Sequence, residues 1–96
     1  MKPSAALKAH RAEIRLIIEA HHATNGRIFG SVATSTDLDG SDLDVLIDPS
    51  PETTLFDIGA IRYKLKQLLG VPVDVLTPNA LPEKFRNSVI AGAMPI

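Results

Sequence analysis

The stretch DLDVLI at residues 42–47 decides the fold class, because its first four positions alternate strictly between acidic and aliphatic side chains. Alternation with a period of two predicts a β-strand, in which successive side chains point to opposite faces. One face then carries Leu43, Val45 and Ile47, and the other carries Asp42 and Asp44. We therefore expect a strand that buries one face and leaves an acidic face open.

Helical and extended patterns alternate on both sides of this strand. Together they predict a small α/β (α+β) domain with a short, mixed, three-stranded sheet and helices mainly on one face. With 96 residues, one domain spanning 1–96 is expected. The first predicted helix runs from a Ser4 cap to about Thr24 and is ended by Asn25-Gly26. Strands are predicted at Arg27–Phe29, Asp42–Ile47 and Val71–Leu76. Two further helices are predicted, one from a Thr54/Asp57 capping box to Leu69 and one from Asn79 or Pro82 to near Gly92.

The composition excludes several functional classes. Apolar residues make up 45% of the chain and charged residues 22%, as in ordinary globular proteins. The net charge of −1, from 10 basic and 11 acidic residues, predicts no broad nucleic-acid binding. The absence of cysteine excludes disulfides and thiolate metal sites. No signal peptide or apolar membrane-spanning run is recognisable, so a cytoplasmic location is expected.

The acidic face of the strand requires compensation for its charge. Asp42 and Asp44 would lie roughly 6–7 Å apart. At that separation two charges repel by roughly 2–3 kcal/mol at an effective dielectric constant near 20. Asp74, within the apolar strand VPVDVL, would add to this repulsion. Solvation, basic partners or a divalent cation could each compensate, and magnesium suits two or three carboxylates together with substrate phosphates.

Gly30-Ser31 follows the predicted strand at Arg27–Phe29 and offers the complementary feature, a phosphate-binding turn. Glycine allows close backbone approach, and the Ser31 hydroxyl and free N–H groups of the turn suit phosphate oxygens. No Walker A lysine follows the turn. A calcium-binding EF-hand loop around Gly40 is also excluded, because Leu46 would occupy the position that requires a bidentate Glu.

Taken together, Gly30-Ser31, ten intervening residues and Asp42-Leu43-Asp44 resemble the Gly-Ser-x10-Asp-x-Asp signature of minimal nucleotidyltransferases, in the DNA polymerase beta-like superfamily. The resemblance extends over most of the chain and includes Val73-Asp74-Val75-Leu76, which is similar to the strand of the family's third carboxylate. It implies that Asp42, Asp44 and Asp74 are catalytic and bind one or two Mg²⁺ ions. It also implies that Gly30 and Ser31 hold the phosphates of ATP.

Many proteins of this family are antitoxins paired with a HEPN-type ribonuclease toxin. The resemblance therefore implies transfer of AMP from ATP to a tyrosine hydroxyl of such a partner, which silences it. One departure is visible: many members continue Gly-Ser-x-Ala-Arg-Gly, whereas this chain keeps Ala33 but has Thr34 and Ser35 in the last two positions. This departure favours the alternative of a non-catalytic module that neutralises a partner by binding.

Four further polar residues are expected to have structural rather than functional roles. His21 and His22 should interact with the negative end of the first helix. Asp37 and Asp39 should be solvated loop residues.

Overall fold

The fold, given by a computed structural model of residues 1–96, contains three α-helices and one four-stranded sheet. None of the three helices combines the length and the apolar composition that crossing a membrane requires. In chain order the elements are α1 (Pro3–Ala20), β1 (Ala23–Phe29), β2 (Leu43–Pro49), α2 (Leu55–Leu69), β3 (Val73–Leu76), a 3-10 helix (Pro78–Ala80), α3 (Glu83–Gly92) and β4 (Met94–Pro95).

The sheet is mixed, as predicted, and its strand order is β3-β2-β1-β4. β2 pairs antiparallel with β1 and parallel with β3, so the DLDVLI stretch forms one of the two central strands. The prediction of three strands was wrong by one, because β4 pairs with β1 through Met94 and Pro95. Two residues, one of them proline, cannot show the alternation from which a strand is recognised.

The core lies between the sheet and the helices α1 and α2, as the alternation in β2 requires. Leu43, Val45 and Ile47 are completely buried on this face. From the helices, Ile14 and Ile61 are equally buried and belong to the same apolar cluster. Full burial of each such side chain stabilises the fold by roughly 1.5–3 kcal/mol relative to exposure. This packing holds β2 in place and leaves Asp44, on its other face, partly exposed.

The first helix ends earlier than predicted, and Asn25-Gly26 does not end it. α1 stops at Ala20, His22 takes a positive φ of 64°, and β1 already begins at Ala23. Asn25 lies within β1 with φ of 53°, where the register to β2 shifts. Gly26 packs closely against α1, because a Cβ there would lie 2.7 Å from Cδ1 of Ile18.

The predicted capping box at the start of α2 is confirmed. The Thr54 hydroxyl accepts a hydrogen bond from the backbone N–H of Asp57, whose carboxylate accepts one from the Thr54 N–H at 2.9 Å. The ring Nδ1 atoms of His21 and His22 lie 3.5 and 3.3 Å from this carboxylate. The two histidines therefore contact the N-terminus of α2 in addition to following α1.

Asp37 is not the solvated loop residue that was expected. It is buried, and its carboxylate accepts a hydrogen bond from the backbone N–H of Ser4 at 2.9 Å. The predicted Ser4 cap is absent, since the N-cap position is Lys2 and no side chain caps it from there. Asp37 therefore satisfies the first turn of α1 from a loop 33 residues away.

We expect Asp37 to make the stability of the protein sensitive to acid. The hydrogen bond from the Ser4 N–H lowers the pKa of Asp37 below its usual value. The unfolded chain then binds the proton first, so this contribution is complete above about pH 4 and is lost as the pH falls through the lower folded pKa. Urea unfolding at about pH 5 and about pH 3 should show a smaller loss for Asp37→Asn than for wild type.

Asp39→Asn is the matched control for this experiment. Asp39 is exposed in the same loop, and its only ion pair is with the N-terminal amine. Asp39→Asn should keep the pH dependence of wild type. An equal acid response in all three proteins would contradict the role assigned to Asp37.

Candidate active site

Asp44 stands at the centre of the candidate site, because both of its strand neighbours carry the other predicted features. In β2 it lies opposite Phe29, the last residue of β1, and opposite Asp74 in β3. The register places the Cα atoms of Asp44 and Asp74 side by side, about 4.8 Å apart in the direction of strand pairing. Two carboxylates that are 30 positions apart in the sequence are thus neighbours on one face of the sheet, next to its β3 edge.

Asp42 lies immediately before β2, which begins at Leu43. The predicted strand at Asp42–Ile47 had included Asp42, so the prediction was wrong at this residue. The following backbone N–H, that of Leu43, donates a hydrogen bond to the carbonyl of Pro72 at 2.8 Å. This bond fixes the entry into β2 against the entry into β3. Asp42 and Asp74 consequently line the same small cleft.

Gly30 is in direct contact with Asp44. Its φ is +73°, and a Cβ built on it would overlap Oδ2 of Asp44 and lie 3.3 Å from Cγ. The lack of a side chain at Gly30 therefore creates the space that the Asp44 carboxylate occupies. Gly30, which follows β1, and Asp44 of β2 therefore pack directly against each other.

The turn after Gly30 is held by Thr34 and Thr36. The Thr34 hydroxyl lies 3.3 Å from the carbonyl oxygens of both Gly30 and Ser31 and 2.9 Å from the Thr36 hydroxyl. The backbone N–H groups of Thr34 and Thr36 donate to the same two carbonyls at 3.2 and 2.9 Å. Thr34 therefore stabilises the turn internally, through both its hydroxyl and its backbone N–H.

The carboxylates of the site repel one another, and the effect is visible at Asp44. Partial burial raises the pKa of Asp44, and the neighbouring charges of Asp74 and then Asp42 raise it further. No lysine, arginine or histidine nitrogen lies within 4.0 Å of these three carboxylates. Direct ion pairing therefore does not offset the repulsion among the three carboxylates.

A cavity of about 370 Å³ lies on the β1 side of Asp44. Its walls are the Gly-Ser turn and one face of α3, which contacts β1. Ser88 and Gly92, four positions apart on α3, contribute to this wall, and the sequence reasoning did not include them. Their spacing marks a shared helix face, but nothing local in the sequence shows which strand that face meets. The lining residues are Phe29, Gly30, Ser31, Ala33, Thr34, Thr36, Ser88, Val89 and Gly92.

A second, smaller cleft of about 90 Å³ lies on the β3 side of the carboxylates. Asp42 and Asp74 form one part of its lining, and Arg62 and Lys66 from α2 form another. The Arg62 Nε donates a hydrogen bond to the carbonyl of Val73 at 3.0 Å, which anchors this side chain beside β3. The sequence analysis did not single out either cation.

The sheet face that carries Asp44 and Asp74 is covered at the neighbouring residue Leu46. Leu46 is completely buried although it belongs to this face, and the 3-10 helix Pro78–Ala80 contacts β2 there. Arg86 of α3 fastens that helix by donating to the carbonyls of Pro78 at 2.9 Å and Leu81 at 3.1 Å. On the same face Asp44 remains partly exposed and Asp74 is exposed.

The donor set suits a hard divalent cation bound together with a ligand, rather than a closed metal cage. Asp42, Asp44 and Asp74 offer carboxylate oxygens and make no ion pair within 4.0 Å. However, no group of three or more Asp, Glu or His side chains is close enough to enclose a metal ion by itself. Magnesium commonly uses one or two carboxylates and completes its shell with substrate phosphates and water. The arrangement fits this pattern.

Comparison with known proteins agrees with this geometry. Residues 12–96 match the family model of the nucleotidyltransferase domain. Two Methanocaldococcus jannaschii proteins are similar in sequence. "Putative protein adenylyltransferase MJ0435" is 30% identical over 80 residues, covering 83% of this chain and 86% of that protein. "Putative protein adenylyltransferase MJ1217" is 31% identical over 79 residues, covering 82% and 78%.

Two solved structures share the fold. One, described as "Structure of putative minimal nucleotidyltransferase", has a TM-score of 0.87 and 33% identity and covers 97% of this chain and 95% of that chain. The other, from "Crystal structure of the toxin-antitoxin with AMP-PNP", has a TM-score of 0.74 and covers 88% and 69%, but its 16% identity supports the fold alone. The family match and the M. jannaschii relatives show that this chain belongs to the nucleotidyltransferase family and is an enzyme of that class.

Proposed function

We propose that this nucleotidyltransferase transfers AMP from ATP to a hydroxyl group, most simply a tyrosine, of a partner protein that is a HEPN-type ribonuclease toxin. In this proposal the chain is the antitoxin, Asp42, Asp44 and Asp74 are its catalytic residues, and Gly30 and Ser31 hold the phosphates. The observation that carries the proposal is the position of Asp44, which touches Gly30 on one side and pairs with Asp74 on the other.

The cavity on the β1 side of Asp44 is the proposed nucleotide site. The Ser31 hydroxyl and the backbone N–H groups of the turn would hold the phosphates of ATP. The turn is already fixed by the hydrogen bonds of Thr34 and Thr36, so little reorganisation is needed on binding. The volume of about 370 Å³ is within the range of small-ligand sites.

Asp74 is the proposed general base. The acceptor oxygen attacks the α-phosphorus of ATP, the bond between that phosphorus and the bridging oxygen of pyrophosphate breaks, and Asp74 accepts the proton of the hydroxyl. Its exposed position on β3, beside Asp44, suits a base that must reach an incoming acceptor. Most of the catalysis would come from positioning and charge stabilisation.

Asp42, Asp44 and Asp74 would hold Mg²⁺ together with the phosphates of ATP, and the repulsion of Asp44 by its two neighbouring carboxylates supports this. When bound, the cation supplies Lewis-acid stabilisation of phosphate charge and lowers the pKa of the acceptor hydroxyl. The backbone of Asp44 is fixed by the pairing of β2, and its carboxylate occupies the space that the missing side chain of Gly30 leaves.

The names of the relatives and neighbours support a protein acceptor. The M. jannaschii relatives are named as protein adenylyltransferases, and the fold is shared with a chain from a toxin–antitoxin structure that contains AMP-PNP. In this proposal a partner protein supplies the acceptor hydroxyl.

Intact-mass spectrometry of the co-purified partner, incubated with ATP and Mg²⁺, tests the proposal. Whole AMP additions on the partner are expected with the wild-type chain and should disappear with the Asp42→Asn, Asp44→Asn double variant. A neutralised partner that forms a stable complex without added mass would instead favour the non-catalytic binding module. Thr34 in place of the usual arginine would then be the first position to examine.

A further inference from the structure

Arg62 and Lys66 form a pair of cations beside the catalytic carboxylates that the reaction described above does not use. They lie one helical turn apart on α2 and both line the cleft that also contains Asp42 and Asp74. Neither side chain makes an ion pair within 4.0 Å anywhere in the chain. Lys66 makes no side-chain hydrogen bond, whereas Arg62 is anchored only through its Nε to the carbonyl of Val73.

The position of this pair distinguishes the two sides of the site. Along the sheet the order is the Gly-Ser turn after β1, then Asp44 in β2, then Asp74 in β3. Arg62 and Lys66 lie beyond Asp74, on the side away from the phosphate-binding turn. A nucleotide over Gly30 and Ser31 therefore leaves the Asp74 side for the acceptor.

We propose that Arg62 and Lys66 form an acceptor subsite that selects a protein segment with a carboxylate next to the accepting hydroxyl. The inference rests on the proposed function, because it assigns the acceptor side of that same site. A cleft with carboxylates on one side and unpaired cations on the other orients a segment that carries a hydroxyl and an anion. The hydroxyl faces Asp74, and the anion faces Lys66 and the free guanidinium nitrogens of Arg62.

The volume and the anchoring support this assignment. The cleft of about 90 Å³ admits a small group such as a carboxylate but not a nucleotide. Because the Nε of Arg62 is held by Val73, the terminal nitrogens of its guanidinium remain as donors for a carboxylate. A simple role of Lys66 in complementing the α2 dipole would not require a lining position in the cleft.

The subsite can be tested independently of transfer by measuring the binding of short peptides without ATP. Binding is monitored by NMR titration of the ¹⁵N-labelled chain. The probes are acetyl-Glu-Tyr-Glu-amide and its uncharged counterpart acetyl-Gln-Tyr-Gln-amide. At low ionic strength the acidic peptide should bind wild type at least about tenfold more tightly, equivalent to about 1.4 kcal/mol, with shifts centred on the cleft. Lys66→Ala should reduce this preference to about threefold or less, and Lys66→Arg should restore most of it.

Lys64→Ala is the matched control, since Lys64 lies on the same helix but contacts His21 at 2.9 Å and does not line the cleft. It should keep the preference of wild type. Equal affinities of wild type for the two peptides, or an unchanged preference in Lys66→Ala, would overturn the subsite. So would a loss of ATP affinity in Lys66→Ala, because the cations would then belong to the triphosphate. Absence of AMP transfer with an intact peptide preference would refute the proposed function alone.

Discussion

Asp44→Asn is expected to lower the rate of AMP transfer by at least about 10³-fold while the fold remains intact. Asparagine keeps the shape of the side chain beside Gly30 but removes the charge that holds the cation and the phosphates in the proposed mechanism. Asp42→Asn should cause a loss of the same order. The measurement is the initial rate of AMP incorporation into the partner at saturating ATP and Mg²⁺.

Stability provides a second, independent signal for the same substitution. The pKa of Asp44 is raised in the folded protein, so its contribution to stability is complete below the unfolded pKa and is lost as the pH rises through the folded pKa. At neutral pH its ionised carboxylate therefore opposes folding. In EDTA, Asp44→Asn should unfold at a temperature equal to or slightly above that of wild type. Added Mg²⁺ and nucleotide should stabilise wild type more than the variant.

Asp39→Asn serves as the control for charge removal, since Asp39 is an exposed loop carboxylate whose ion pair is with the N-terminal amine. It should transfer AMP at the wild-type rate. Turnover close to wild type in both Asp42→Asn and Asp44→Asn would contradict the assignment of these residues. A loss of transfer accompanied by unfolding would show a structural role instead.

Gly30→Ala is expected to lower transfer by about 10²-fold or more and to destabilise the fold by roughly 1–3 kcal/mol. The stability loss comes mainly from the positive φ of +73°, which alanine adopts only with strain. The loss of activity has a different cause, since the new methyl group would occupy the space of the Asp44 Oδ2 atom. The carboxylate can swing away at little cost in stability, but it then leaves its catalytic position.

Gly70→Ala separates these two effects. Gly70 ends α2 with φ of +68°, and a Cβ there meets no atom within 4 Å. This variant should lose roughly 1–2 kcal/mol of stability and keep its transfer rate. Chemical unfolding and AMP incorporation, measured on both variants, therefore distinguish backbone strain from displacement of Asp44. Equal transfer rates in Gly30→Ala and Gly70→Ala would show that the contact with Gly30 does not matter for catalysis.

Local patterns in the chain were sufficient to predict the central features of the fold. Alternating aliphatic residues predicted β2 with the correct buried face, and Thr54 and Asp57 predicted the start of α2. These signals are local because side-chain alternation and capping involve residues only two or three positions apart. The family resemblance of the Gly-Ser turn and the Asp-x-Asp strand was confirmed by the domain match over residues 12–96.

Features that depend on distant contacts could not be read in this way. Asn25-Gly26 resembles a helix stop, but Gly26 is used to admit Ile18 against β1. Asp37 resembles a loop residue until Ser4, 33 positions earlier, is brought beside it. The strand β4 is too short to show a period, and it forms only because β1 offers a free edge.

The sequence by itself determined which residues are the candidates for the proposed chemistry: the carboxylates of Asp42, Asp44 and Asp74, and Gly30, which permits a tight turn. Only the tertiary structure decided their arrangement. Strand pairing sets Asp74 beside Asp44, and the contact with Gly30 sets the Gly-Ser turn on the opposite side. Packing of α2 and α3 then places Arg62 and Lys66 in one cleft and Ser88 in the other. The physical reason is that sheet register and helix docking follow from burial of the whole core, which no short segment specifies alone.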